Sequence, residues 1–126
     1  MVEQNLQGCS VLIVEDEYLL ADDLSQALAD AGVHVLGPIA SVDDGMRLIG
    51  STASIDAAVL DVNLRGDMVF PVADELRLRG IPFAFATGYD ESAIPDRFAD
   101  APRVEKPFKG HSITAVLGTL IRSSHQ

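Results

Sequence analysis

The chain has 126 residues, a length that suits one domain with a real hydrophobic core. Its 48% hydrophobic content and mean hydropathy of +0.21 exclude disorder, and nineteen acidic against nine basic residues leave a net charge of −10. That balance argues against a nucleic-acid or anionic-membrane surface, and a surplus of carboxylates is compatible with a divalent-cation site. The one cysteine, Cys9, has no partner for an internal disulfide, no apolar run reaches membrane-spanning length, and the first eight residues are polar rather than signal-like. A cytoplasmic chain with no membrane segment is expected.

Ser10-Val11-Leu12-Ile13-Val14 is a short β-branched run that ends at once in Glu15-Asp16-Glu17. Leu20, Leu24, Leu28 and Ala31 then recur at helical spacing, and Gly32 closes that helix. Residues 33–40 supply a second strand around Gly37-Pro38, and Ser41, Asp43 and Asp44 are cap candidates for a helix carrying Val42, Met46 and Ile49. Ala57-Ala58-Val59-Leu60-Asp61 reads as a buried strand that gives way to Val62-Asn63-Leu64-Arg65-Gly66. Gly66-Asp67 is expected to open a third helix with Val69, Val72, Ala73 and Leu76, in which Pro71 fits only the first turn.

Residues 81–86 form the fourth strand, ending in Thr87-Gly88-Tyr89. Pro95 interrupts residues 90–100, so the fourth helix is expected to be short, distorted or mobile. A brief edge strand at 102–105 precedes Lys106-Pro107-Phe108, and Ile113, Val116, Leu117, Leu120 and Ile121 make one stripe of a final helix. Strand and helix thus alternate five times, the pattern of a parallel sheet covered on both faces.

In such a sheet all strand C-termini lie on one edge, where ligands bind. Glu15 and Asp16 after the first strand, Asp61 after the third, Thr87 after the fourth and Lys106 after the fifth therefore converge on one crevice. Each residue alone is ordinary: Asp61 is a nucleophile, a metal ligand or a helix cap. Together they form a phosphoryl-acceptor set. Crowded carboxylates favour a hard cation such as Mg2+, which takes oxygen ligands at about 2.1 Å. A carboxylate can attack phosphorus, while an ammonium, a hydroxyl and a cation share the equatorial oxygens. His34, His111 and His125 fall in a strand start, a helix start and a tail, and no shared metal or phosphohistidine role is expected of them.

The segments Val14-Glu15-Asp16-Glu17, Val59-Leu60-Asp61-Val62-Asn63-Leu64, Ala86-Thr87-Gly88-Tyr89 and Glu105-Lys106-Pro107-Phe108 resemble the receiver domain of two-component response regulators. The resemblance covers Ser10 to Arg122 and implies one receiver domain over 1–126 with its core at 10–122. It implies a flavodoxin-like α/β fold with strand order 2-1-3-4-5. It further implies that Asp61 takes phosphate from a sensor histidine kinase or a histidine phosphotransferase. Asp16, Asp61 and the Asn63 carbonyl would bind Mg2+, with Glu15 acting through water. Thr87 and Lys106 would bind phosphoryl oxygens, and Lys106-Pro107 would be cis. Such a domain is a signalling phosphoacceptor rather than a turnover enzyme, with slow self-dephosphorylation and an output or phosphorelay made through protein contacts.

Pro82 to Tyr89 is similar to the "FAT GUY" subgroup of receivers, which is associated with kinases of the HWE type. One position departs from the common receiver pattern: Arg103 stands where many receivers carry the aromatic switch residue. Tyr89 is then the available substitute, and phosphorylation is expected to order residues 88–99 rather than to swing a ring on the last strand. Two other readings of the fold remain. A haloacid-dehalogenase-type phosphatase wants an acid where Asn63 stands, and a flavin carrier wants a Ser/Thr/Gly-rich phosphate loop where Glu15-Asp16-Glu17 stands.

Overall fold

The computed structural model describes residues 6–88, 94–106 and 110–124, with the side chains of residues 110, 111 and 124 left aside. Five parallel strands form the sheet: β1 (Ser10–Val14), β2 (His34–Ile39), β3 (Ala57–Asp61), β6 (Phe83–Thr87) and β7 (Arg103–Glu105). Their order is β2-β1-β3-β6-β7. With the small hairpin β4 (Asn63–Leu64) and β5 (Asp67–Met68) set aside, this is the expected 2-1-3-4-5 arrangement. The fold is therefore flavodoxin-like.

Alternation of side chains along the strands explains the two cores. From β1, Leu12 and Val14 face one layer while Val11 and Ile13 face the other; β3 divides in the same way into Ala58 and Leu60 against Ala57 and Val59. The first layer packs on α2 (Val42–Ser51) and α3 (Phe70–Leu78) through Ile49, Val72 and Leu76. The second packs on α1 (Tyr18–Asp30) and α4 (Gly110–Ser124) through Leu24, Leu28, Ile113 and Leu117. β3 is buried along its whole length, which is why it reads as an unbroken apolar run. Of the cap candidates of α2, Ser41 takes the role, its hydroxyl accepting from Asp44 N–H at 3.2 Å.

One expectation is corrected. Gly66-Asp67 does not open α3. Residues 63–68 instead fold into the β4–β5 hairpin, whose two turn residues, Arg65 (φ +55°) and Gly66 (φ +96°), both adopt the left-handed backbone of a type I′ turn. The Asn63 side-chain carbonyl accepts from Gly66 N–H at 2.7 Å and locks that turn. The helix proper begins at Phe70, which puts Pro71 in its first turn, where the missing N–H costs nothing. Between β6 and β7 the described residues contain a 3-10 turn, Asp96–Phe98, a short and distorted element of the kind expected at residues 90–100. Pro95 precedes that turn in extended conformation, in keeping with its placement as an interruption.

Gly37 carries a φ of +102°, and a Cβ there would lie 2.8 Å from the Ile13 carbonyl oxygen. Any larger residue would push β2 off β1 beside the carboxylate loop. Among the described residues no helix is long and apolar enough to cross a membrane.

Candidate functional site

The C-terminal ends of β1, β3, β6 and β7 surround a crevice of about 550 Å³. Asp16, Glu17, Asp61, Asn63, Arg65 and Lys106 line it, with Gly88 on one wall. Backbone bonds place its functional groups. Glu15 N–H donates to the Ile39 carbonyl at 2.8 Å, tying the acidic loop to the end of β2, and Lys106 N–H donates to the Thr87 carbonyl at 2.7 Å, tying the end of β7 to the end of β6. Asp61 pairs in register with Ala86, so Thr87 lies one residue beyond it on the neighbouring strand.

Among the described residues three polar side chains are buried here: Glu15 (4% exposed), Asp61 (6%) and Thr87 (7%). The Lys106 ammonium reaches across ninety-one residues of chain separation to Glu15 Oε1 at 3.1 Å and Oε2 at 3.3 Å, and to Asp61 Oδ1 at 3.2 Å. Glu17 Oε1 is 4.0 Å from the same nitrogen. Glu15 Oε2 also accepts from Glu17 N–H at 3.1 Å, so its carboxylate is held from two sides. One oxygen each from Glu15, Asp16 and Asp61 lies within 4.8 Å of the others, a donor set of the hard type that Mg2+ takes.

Burial is the main influence on Asp61, and the adjacent Glu15 carboxylate adds to it; together they push its carboxyl up to about 7 against the partial relief given by Lys106. Burial opposes the charge of Lys106 as well, but the Asp61 and Glu15 carboxylates outweigh it and hold the ammonium above its ordinary range. Among the described residues the cleft thus brings four carboxylates, Glu15, Asp16, Glu17 and Asp61, to two cations, Lys106 and Arg65. A further positive charge would relieve Asp61 and return it to the ionised form.

All six residues singled out for phosphoryl chemistry and metal binding, Glu15, Asp16, Asp61, Asn63, Thr87 and Lys106, lie at this sheet edge. The Asn63 side chain is committed to the hairpin turn, which leaves its main-chain carbonyl as the group available to a ligand. The same commitment removes it as a stand-in for the second acid of a phosphatase. Carboxylates likewise occupy the position where a flavin phosphate would need donors. Arg103 is exposed on the edge strand, opposite Phe85 in register. Tyr89 and the Lys106-Pro107 peptide lie outside the described residues.

Arg65 was not among the expected residues. Its Nε stands 3.4 Å from Asp16 Oδ2 although forty-nine positions separate them in the chain. The available signal was a basic residue in the loop directly after the strand that carries Asp61.

No protein-family profile matches the chain. The chain is similar to SdrG from Sphingomonas melonis Fr1, with 37% identity over 95% of this chain and 99% of that one and a TM-score of 0.79. Its fold is also that of a response regulator receiver protein from Sinorhizobium medicae WSM419, with 24% identity, 94% of this chain and 98% of that one covered, and a TM-score of 0.77. A curated relative, the phyllosphere-induced regulator PhyR of Methylorubrum extorquens, is 27% identical over 115 residues. That match takes in 85% of this chain but only 41% of PhyR, so the chain spans about two fifths of the curated relative. Sheet order, the acidic crevice with its buried lysine and the near full-length match to SdrG agree: the chain belongs to the receiver domains of two-component response regulators.

Proposed function

We propose that this chain is a phosphoacceptor switch, in which a histidine kinase or a histidine phosphotransferase delivers a phosphoryl group to Asp61. The observation that carries this reading is the setting of Asp61: 6% exposed at the crevice end of the central strand, with the Lys106 ammonium at 3.2 Å and two further carboxylates beside it. A carboxylate oxygen there forms the new O–P bond as the bond from phosphorus to the donor nitrogen breaks on the opposite side. Lys106 then turns its N–H groups from the bare carboxylate to an equatorial phosphoryl oxygen, and the Thr87 hydroxyl donates to another. The backbone bond from Lys106 N–H to the Thr87 carbonyl holds these two residues together at the ends of neighbouring strands, which supports their joint role.

The three-carboxylate donor set and the Asn63 main-chain carbonyl fit Mg2+, with Asp16 and Asp61 as the direct carboxylate ligands and Glu15 in support. When bound, Mg2+ supplies charge that keeps Asp61 ionised and offsets the oxygens of the transferred group. Solved forms of SdrG include a BeF3-activated conformation, 39% identical to this chain over 89% of it, which supports the same chemistry here.

The run from Pro82 to Tyr89 supports membership of the FAT GUY subgroup and a donor kinase of the HWE type. The phosphorylated chain acts in the cytoplasm through protein contacts or by passing its phosphate on, and loses the group slowly by itself. Because Arg103 is exposed and carries no ring, we assign the response to residues 88–99. Identical backbone NMR spectra of those residues with and without an acyl-phosphate mimic would contradict that assignment.

The decisive experiment is incubation with acetyl phosphate and Mg2+ followed by intact-mass measurement. One hydroxylamine-labile adduct is expected on the parent protein and none on Asp61→Asn. An unmodified parent, or an equal adduct on the variant, would overturn the reading.

A further inference from the structure

The crevice holds a cation that the proposed phosphotransfer does not use. Arg65 sits at the tip of the β4–β5 hairpin, in a left-handed turn locked by the Asn63–Gly66 bond. From there its guanidinium reaches Asp16 Oδ2, with Nε at 3.4 Å. Exposure is lopsided: the Arg65 side chain is 83% exposed, while that of Asp16 is 13% exposed. A solvent-side cation thus covers a mostly buried carboxylate that belongs to the acidic donor set.

Among the described residues, Lys106 and Arg65 divide the carboxylates of the crevice between them. Lys106 serves Glu15 and Asp61 from the buried side, at 3.1 to 3.3 Å. Arg65 serves Asp16 from the open side. Its contact is long and single, unlike the two-pronged Arg97–Asp74 pair at 3.0 and 2.9 Å elsewhere on the surface. A long, single contact made by an exposed guanidinium is weakly held, which suits a group that must yield. A divalent cation seated among Glu15, Asp16 and Asp61 would compete with Arg65 for the same carboxylate.

We infer that Arg65 is a displaceable counter-ion of Asp16: it neutralises that carboxylate in the metal-free protein, is exchanged for the divalent cation, and so sets the metal affinity of the site. This rests on the reading of the crevice as an Mg2+-dependent phosphoacceptor site. The guanidinium lowers apparent affinity in two ways, by occupying Asp16 and by adding like charge beside the incoming ion. Because the turn fixes the Cα, lysine at this position keeps the charge on a shorter side chain that ends in a point-like ammonium.

The test is Mg2+ titration of the full chain by calorimetry, with the parent protein, Arg65→Ala and Arg65→Lys, alongside NMR of the arginine Nε–H groups. Arg65→Ala is expected to bind Mg2+ about two- to fivefold tighter, with Arg65→Lys between the two. In the parent protein the Arg65 Nε–H resonance should move as the site fills, while that of Arg97, paired with Asp74, stays in place. Equal affinities for the parent and Arg65→Ala, or an Arg65 resonance that does not respond to saturating Mg2+, would overturn the inference, even in a protein that forms the Asp61 adduct normally. Absence of both Mg2+ binding and the Asp61 adduct would overturn the underlying reading and this inference with it.

Discussion

Two clusters of charge in this molecule are built to opposite rules. On the surface, along α3 and the 3-10 turn, two cations face two carboxylates: Arg97 with Asp74, and Arg77 with Asp100. Arg77 also donates to the Arg97 carbonyl at 2.7 Å, and both guanidinium groups stand over the buried Phe98 ring, at 5.3 and 4.6 Å. Charge there is balanced and exposed, and it fastens the turn onto a cluster of Phe70, Phe83, Phe85 and Phe98. In the crevice, among the described residues, four carboxylates face two cations, and Glu15 and Asp61 are almost out of water. A balanced, wet cluster closes the structure; an unbalanced, dry one leaves a demand for positive charge. The second arrangement costs stability, which is how a binding site differs from a fastening.

The sharpest way to break this contrast is to remove the buried cation. Lys106→Ala leaves the Glu15 and Asp61 carboxylates facing each other without their shared partner, and a loss of about 3 kcal/mol is expected at pH 8. At pH 5 the loss should shrink, since Asp61, already pushed up to about 7, then carries its proton. Urea unfolding at the two pH values measures both numbers. Equal losses at pH 5 and pH 8 would mean that packing of the lysine stem, not charge, dominates the site.

A smaller effect of opposite sign is expected at Asp61. Its carboxyl titrates near 7 in the folded chain against 3.8 in the reference state, so between those values the folded protein holds the extra proton. Stability contributed by this residue therefore falls as pH rises through that window, and the penalty is complete above pH 7. Asp61→Asn should be more stable than the parent at pH 8, by on the order of 1–2 kcal/mol after allowance for the lost Lys106 contact, and close to it below pH 4. Thermal melts across that range test the sign. Saturating Mg2+ should narrow the gap at pH 8 by stabilising the parent more than the variant.

Much of this contrast was open to a reader of the sequence, and the part that was not has a physical reason. β1, β3 and β6 are buried on both faces, so their apolar runs and the polar residues that end them mark the sheet edge directly. Glu15, Asp16, Asp61, Thr87 and Lys106 follow from those strand ends, because one edge of a parallel sheet gathers every C-terminus. The hairpin at 63–68 was hidden because Arg65 adopts a positive φ that nothing in an Arg-Gly pair demands; the Asn63 side-chain bond supplies the reason after folding. The role of Arg65 was hidden for a related cause, since its partner Asp16 comes near only once β1 and β3 are neighbours. The surface cluster was equally illegible: Asp74 and Arg97 are exposed and unremarkable in their own segments, and only the seating of Phe98 against Phe70 and Phe83 aligns them.

The least effect is expected in that surface cluster, and it sharpens the comparison from the other side. A double-mutant cycle on Arg97→Ala and Asp74→Ala should return a coupling that is a small fraction of the Lys106→Ala loss and that fades in high salt. The single variant Arg97→Ala should still cost more than Asp74→Ala, because it also uncovers the ring of Phe98, 4.6 Å from the guanidinium carbon. The coupling cancels that ring contact, which is present or absent alike in both arms of the cycle, and so isolates the charge pair. A coupling as large as the loss at Lys106, persisting in high salt, would mean that water does not weaken the balanced cluster, and the distinction between a fastening and a site would have to rest on carboxylate excess alone.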